Sequence, residues 1–221
     1  MKYVLSLSGG LDSSTLLVYL KHLNADVYAV NFYYGSKHGL QEGLAAERIA
    51  ERYATPLLKL NVTELFTAQA TCSALMQDGC RIPEGHYNDA SMQQTVVPGR
   101  NTIFTSILAG IAESLHYDRV SLAVHAGDHH IYPDCRPSWL AAMNKTIQLS
   151  TEQRVALTAP FLHMHKREIV AIGLRHNVPY ELTYTCYNGQ RTHCGKCGSC
   201  RERREAFELN NANDPLQEKR S

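Results

Sequence analysis

No stretch of this 221-residue chain approaches the roughly 18 consecutive apolar residues of a membrane-crossing helix, and none is expected. Neither charge is in excess: 22 basic side chains face 21 acidic ones, for a formal net charge of +1. That balance removes the global positive field that grips nucleic acid. With 44% hydrophobic residues, an acidic, disordered chain is excluded as well. The N-terminal run MKYVLSLSGG has one lysine and an apolar stretch broken by Ser6 and Ser8, too short for a signal-peptide core. It reads as a buried strand, and the protein as cytoplasmic. A G-x-x-x-x-G-K-[ST] phosphate loop is absent, because the only Gly-Lys, Gly195-Lys196, is followed by cysteine. G-x-G-x-x-G, internal repeats and low-complexity segments are absent too.

What is present alternates. Residues 2–8 form an apolar strand ending in Ser-Gly-Gly, and Leu16, Leu17, Leu20 and Leu23 give 12–23 a helical period. A Val- and Tyr-rich strand follows at 26–34. Then comes an amphipathic helix at 41–53, closed by Pro56, and a third strand at 57–62. This order predicts an α/β fold, a parallel sheet with helices on both faces. Residues 67–100 are polar and without period, and a loop of that length is usually functional. Helices are predicted at 102–115, 137–149 and 166–176, and strands at 119–124 and 155–158. A polar loop, His125 to Arg136, lies between them. From Thr183 the composition turns to Cys, Gly, Arg and Lys. The chain therefore divides into 1–182, a four-cysteine region at 183–209, and a charged, Asn-rich tail at 210–221 expected to fray.

Two motifs carry chemistry. Ser8-Gly9-Gly10-Leu11-Asp12-Ser13 ends a strand and opens a helix. Its glycines leave backbone N–H groups uncovered, the helix adds its positive end, and Ser8, Ser13 and Ser14 add hydroxyl donors. The sum is a cradle for phosphate. A plain βα turn with Asp12 as N-cap is the structural alternative. The second motif is Cys186, Cys194, Cys197 and Cys200, with glycines inside both short spacers. Four thiolates within fifteen residues suit a closed tetrahedral structural metal site. Lys196, Arg201 and Arg203 are placed to offset their charge. Spacing alone leaves zinc and an iron–sulfur cluster both open. Cys72 and Cys80 read as ordinary thiols.

The first motif resembles the PP-loop of the N-type ATP pyrophosphatases, a Rossmann-like, adenine nucleotide alpha hydrolase-like fold. PP-loop first and four-cysteine knot last resembles the 7-cyano-7-deazaguanine synthase family of queuosine biosynthesis. Val97-Pro98-Gly99-Arg100-Asn101 and Tyr132-Pro133-Asp134-Cys135-Arg136 match that family's segments, as do 185–189 and 193–200. Tyr34-Gly35-Ser36-Lys37-His38 is similar to Y-G-Q-R-H, departing at 36 and 37, and Gly127 to Ile131 departs from the common form.

The resemblance implies a ligase that turns 7-carboxy-7-deazaguanine and free ammonia into the nitrile with two ATP. Leu7, Ser8, Gly9, Gly10, Leu11, Asp12, Ser13 and Ser14 would bind ATP, with Asp12 contacting Mg²⁺. Arg100 and Lys166 would join Asp12 in catalysis. Arg100, Asn101, Asp134 and Arg136 would bind the deazapurine, and the four cysteines one structural Zn²⁺. No nucleic acid is required, and a homodimer is compatible. A surface ion pair for Arg100, a solvated lysine at 166 and an exposed loop for His125, His129 and His130 are the bland alternatives. The rival functions are a tRNA-thiolating PP-loop enzyme, transfer of the activated deazapurine to another acceptor, and a zinc-ribbon module using the basic stretch 186–204, where five Lys/Arg face one Glu.

Overall fold

The computed structural model of the chain describes residues 1–67, 73–87 and 90–216. Its strands are β1 (Lys2–Ser6), β2 (Asp26–Tyr33), β3 (Leu57–Asn61), β4 (Arg119–Ser121) and β5 (Ala156–Thr158). All pair in parallel, in the order β3-β2-β1-β4-β5. The helices are α1 (Leu11–His22), α2 (Gly39–Arg52), α3 (Thr63–Thr67), α4 (Arg100–Ser114), α5 (Pro137–Ser150), α6 (Lys166–Arg175) and α7 (Gly198–Glu208).

Side chains alternate across a strand, so the central one must be apolar on both faces. In β1, Val4 joins a core with Phe104 and Leu108 of α4 and Ile147 of α5. Tyr3 and Leu5 join the other core, with Leu16 and Leu17 of α1, Ile49 of α2, Ile169 of α6 and Phe207 of α7. From β1 the chain builds outward through β2 and β3, then returns to the other side of β1 for β4 and β5. The carboxyl ends of β1 and β4 therefore border the topological switch point, where ligands of open α/β sheets bind. No helix among the described residues is long and apolar enough to cross a membrane.

Several boundaries differ from the sequence reading. Helix α1 starts at Leu11 with Gly10 as N-cap, so Asp12 is not the cap. Helix α4 starts at Arg100, two residues early, after Gly99 turns the chain at φ +66. The long loop is partly organised: Lys37 Nζ donates to the carbonyls of Ala74, Gly79 and Cys80, and Glu84 bridges Cys197. Cys72 lies outside the described residues, and Cys80 is exposed.

The eleven residues of α7 were read only as a Cys-rich region. That region lies against the first motif, where Tyr184 N–H donates to Gly9 O at 2.9 Å. Nor does the expected fraying hold at Asp214, which is 8% exposed. Its two carboxylate oxygens accept from Nε and Nη2 of Arg203, both at 2.8 Å, and that buried pair anchors the chain at Asp214.

Candidate active site and metal centre

Between β1 and α1 the chain turns through residues 7–10. Leu7 is fully buried and its N–H donates to Val30 O at 2.9 Å, fixing the loop to the sheet. Gly9 has φ +80, and a Cβ there would stand 2.4 Å from Ala46 N and 2.6 Å from Glu42 O. Only glycine lets α2 pack onto this turn. Ser8 Oγ takes the Gly10 N–H at 3.2 Å and lies 3.0 Å from Ser13 Oγ. Helix α1 has no side-chain cap, so its first turn keeps the free N–H groups that attract an anion.

The next residue types come from far apart in the chain. Lys166, the first residue of α6, puts Nζ 2.7 Å from Asp12 Oδ2 and 3.1 Å from Glu202 Oε2 of α7. His125, just beyond β4, is 1% exposed. Its Nδ1 accepts the Gly127 N–H, and Nε2 lies 3.9 Å from Asp12 and 3.6 Å from Asp128. Tyr87 donates to Asp128 Oδ1 at 2.9 Å. Burial alone would raise the Asp12 carboxyl, but Lys166 and His125 hold it below the usual range. Burial would lower the Lys166 ammonium, and Asp12, Glu202 and Asp128 instead carry it well above. Burial raises Glu202 against the pull of Lys166 and His125. Asp12 Oδ1 and Ser14 Oγ are buried with no hydrogen-bond partner among the described residues. A buried, unused carboxylate oxygen beside an anion cradle fits a hard cation such as Mg²⁺.

A cavity of ≈ 230 Å³ runs from this cluster to a second, aromatic end. There Arg100 Nη1 donates to Tyr34 OH at 3.1 Å, its only side-chain hydrogen bond among the described residues. Phe32 and Phe104 stack at 4.1 Å nearby. His38 Nε2 stands 3.7 Å from Glu42 of α2. Burial, then Arg100, pushes His38 down to about 4, so it stays neutral at pH 7. Burial pushes Glu42 up to about 8, with Arg100 opposing.

The sequence-predicted residues thus fall into groups. Leu7, Ser8, Gly10, Leu11, Asp12, Ser13, Arg100, Asn101 and Lys166 line the cavity. Gly9 shapes it from behind, and Ser14 is buried in α1. Asp134 is turned to α4: its Oδ2 accepts the Asn101 N–H at 2.9 Å, while Asn101 Nδ2 donates to Asp134 O and Cys135 Sγ. Arg136 is exposed, and its Nε donates to His129 O at 2.8 Å. Glu202, Glu42 and Tyr87 carry no motif of their own, and His38 and Asp128 enter the sequence reading only as members of family-like segments, not as site residues. The one available signal was position, since Glu42 follows His38 by one helical turn.

The four cysteine sulfurs all lie within 4.8 Å of one another. Tetrahedral coordination at about 2.3 Å per Zn–S bond places sulfurs about 3.8 Å apart, so the set fits. Cys194 Sγ accepts N–H groups of Lys196 and Cys197, and Cys186 Sγ that of Cys194. Cys197 is the N-cap of α7 and Cys200 lies in its first turn, where the helix dipole favours thiolate. Arg203 does not serve the thiolates as expected. Asp214, Thr183, Thr185 and the Tyr180 carbonyl engage its whole guanidinium.

The family model for queuosine biosynthesis protein QueC matches residues 2–211. The 7-cyano-7-deazaguanine synthase of Caldicellulosiruptor saccharolyticus is 42% identical over 217 residues, 98% of this chain and 95% of that one. Its namesake from a Marinomonas species is 42% identical over 216 residues, covering 98% and 97%. Among solved structures, NMN synthetase from Francisella tularensis superposes on 96% of this chain and 77% of its own, with a TM-score of 0.54 at 12% identity. That last likeness concerns the fold alone.

Proposed function

We propose, since the chain belongs to the QueC family of queuosine biosynthesis proteins, that it is an ATP-dependent carbon–nitrogen ligase making 7-cyano-7-deazaguanine from 7-carboxy-7-deazaguanine and ammonia. A carboxylate is a poor electrophile because its leaving group would be oxide. Attack of its oxygen on the ATP α-phosphorus releases pyrophosphate and makes AMP the leaving group. Ammonia displaces AMP to give the amide. The amide oxygen then attacks a second ATP, releasing pyrophosphate, and loss of AMP and of both nitrogen-bound protons leaves the nitrile. The balance is two ATP to two AMP and two pyrophosphates.

The observation that carries this reading is the pairing of Asp12 with Lys166 at 2.7 Å, at the mouth of an anion cradle on the switch point. A cradle without a Walker lysine suits release of pyrophosphate over transfer of the γ-phosphoryl group. In this reading residues 7–14 bind ATP, with Ser8, Gly9, Gly10, Asp12 and Ser13 at the pyrophosphate. Asp12 offers Oδ1 to Mg²⁺, which when bound supplies neutralising charge. Lys166 offsets the negative charge that develops on the departing pyrophosphate. Arg100, with most of its N–H groups uncommitted, takes the substrate carboxylate. Asn101 lines the deazapurine space and Asp134 holds the start of α4 through it, whereas Arg136 is exposed and outside the cavity lining. Cys186, Cys194, Cys197 and Cys200 hold a structural Zn²⁺. A reduced four-thiolate site fits a cytoplasmic enzyme.

The thiolating rival needs a persulfide cysteine or an iron–sulfur centre, and its first route needs a reactive cysteine in the cavity. Cys135 is the cavity's one cysteine among the described residues, and burial with Asp128 and Asp134 pushes its thiol up, against reactivity. The test is product analysis with 7-carboxy-7-deazaguanine, ATP, Mg²⁺ and ammonium. Two AMP per nitrile are expected, and the amide supplied alone should yield nitrile with one AMP and no ammonia. ADP and phosphate would overturn the adenylation. An inert amide would leave only the first half standing and favour another acceptor amine.

A further inference from the structure

Glu42 is the residue of the cavity wall that the pairing in the rest of the site does not explain. It lines the cavity, its side chain is 20% exposed, and it accepts no hydrogen bond from any described residue. Its nearest basic neighbour, His38 Nε2 at 3.7 Å, is neutral at pH 7 and too distant to donate. Arg100 comes close enough to act on it electrostatically but makes no ion pair with it. An acidic group held against aromatic walls without donors is costly in the empty protein. The backbone keeps it there all the same, because Glu42 O packs on Gly9 at the turn of the cradle.

We propose that Glu42 determines substrate specificity by accepting, on its two carboxylate oxygens, the ring N–H and exocyclic N–H of a 2-aminopyrimidin-4-one edge, with Arg100 taking the carboxylate at the other end of the same heterocycle. This rests on the function proposed above and names the wall that reads the substrate. The match is one of donor pattern. A 2-aminopyrimidin-4-one presents two adjacent N–H donors, and a carboxylate presents two adjacent acceptors and no donor. Adenine sets its amino group beside a ring acceptor, which a carboxylate oxygen would repel. A ribose diol is the remaining donor pair, and it belongs to ATP. The flat walls of Phe32, Tyr34 and Phe104 suit a planar ring. A site built to hydrogen-bond a substrate N–H rejects the analogue that lacks it far more strongly than an apolar pocket rejects a missing methylene.

The experiment compares wild type with Glu42→Gln on the acid substrate and on its analogue without the exocyclic amino group, with ATP varied independently. Wild type should prefer the amino-bearing acid by at least about a hundredfold in kcat/KM. Glu42→Gln should lose about a hundredfold on that acid, bring the two substrates within severalfold of each other, and leave KM for ATP within about twofold. A loss that appears in KM for ATP would assign Glu42 to the ribose, and unchanged discrimination would remove it from recognition. Because the empty cavity gives this carboxylate no donor, the variant should fold at least as well as wild type. A variant that unfolds would show Glu42 serving the fold and overturn the proposal. A wild type that turns over neither acid would sink the proposed function itself, an outcome distinct from any result that separates wild type and variant.

Discussion

Asp12 and Lys166 stand 2.7 Å apart at one end of the cavity, with Glu202 3.1 Å behind the lysine, whereas Glu42 and Arg100 share the other end with no ion pair between them. At the first end the charges hold one another in place before any ligand arrives. A ligand there exchanges partners that already exist, and the empty protein is stabilised by them. At the second end the charges face aromatic rings and open space, so only a ligand can complete them. Under the proposed function, the first arrangement positions and the second recognises. Distance along the chain follows the same division. The Asp12 end draws on α1, α6, α7 and the loop after β4, while the aromatic end is built from β2, α2 and the start of α4.

Metal removal should separate the two ends most widely. Four thiolates bind zinc with apparent free energies of about 10–16 kcal/mol, so a chelator should release the 183–216 segment. Glu202 would leave Lys166 with it, while Glu42 and Arg100 sit on elements outside that segment. Hydrogen exchange should then report lost protection at α7 and near Lys166 before α2 and α4. Metal analysis should give about one zinc per chain, and iron with acid-labile sulfide would contradict the assignment.

Gly9→Val ranks second. Its side chain would meet backbone at 2.4 Å and 2.6 Å in a left-handed conformation, and backbone of a packed helix cannot yield cheaply. A cost of about 3 kcal/mol or more is expected, or roughly 10 °C in Tm for a chain of this size, with AMP release abolished. Gly10→Val is the control, since a Cβ there meets only Ser8 Oγ at 3.2 Å and the Tyr184 carbonyl at 3.5 Å. It should keep the fold and weaken ATP binding.

Paired substitutions then sharpen the contrast. Lys166→Met leaves Asp12 and Glu202 as two largely buried carboxylates without their cation, and should cost about 2–3 kcal/mol in urea unfolding. Arg100→Met removes a cation whose only side-chain hydrogen bond among the described residues is to Tyr34, and should cost about 1 kcal/mol or less. Both should cut turnover by at least about a hundredfold. Equal stability losses would dissolve the distinction between the two ends.

Much of this architecture was legible in the residues. Leucines at helical spacing, apolar strands and Ser-Gly-Gly at a strand end located β1, α1 and the switch-point cradle, because each is a local pattern. The cysteine spacing located the four-sulfur cluster, which could hold a metal ion, for the same reason. What stayed hidden depends on chain returns. Nothing near residue 202 says that its carboxylate will meet a lysine at 166, and nothing near 203 says that Asp214 will close on it. Helix α7 was missed because its apolar face is short, Ala206 and Phe207 among Arg and Glu. Arg203, read as a counter-charge for thiolates from its closeness in sequence, is committed through space to Asp214.

The effect most specific to the aromatic end is a pH dependence. Glu42 is pushed up to about 8 in the folded, empty protein against an ordinary 4.5. Between those values the folded state keeps a proton that the unfolded chain has released, so this group lowers stability as pH rises. His38 is pushed down to about 4 from 6.5, and between those values the unfolded chain binds a proton the folded state refuses. Its contribution therefore raises stability with pH. From about 4.5 to 6.5 the two slopes oppose each other; above 6.5 only that of Glu42 remains. Glu42→Gln should thus leave stability nearly unchanged near pH 4 and exceed wild type progressively up to pH 8. The gap is bounded by about 1.4 kcal/mol per unit of displacement, and hence by a few kcal/mol. Urea midpoints at pH 5, 6.5 and 8 would measure it. Saturating amino-bearing acid should close the gap in wild type, because two N–H donors favour the ionised carboxylate that the empty cavity disfavours. Parallel curves for the two proteins would mean that Glu42 is already compensated and would erase the difference between the two ends.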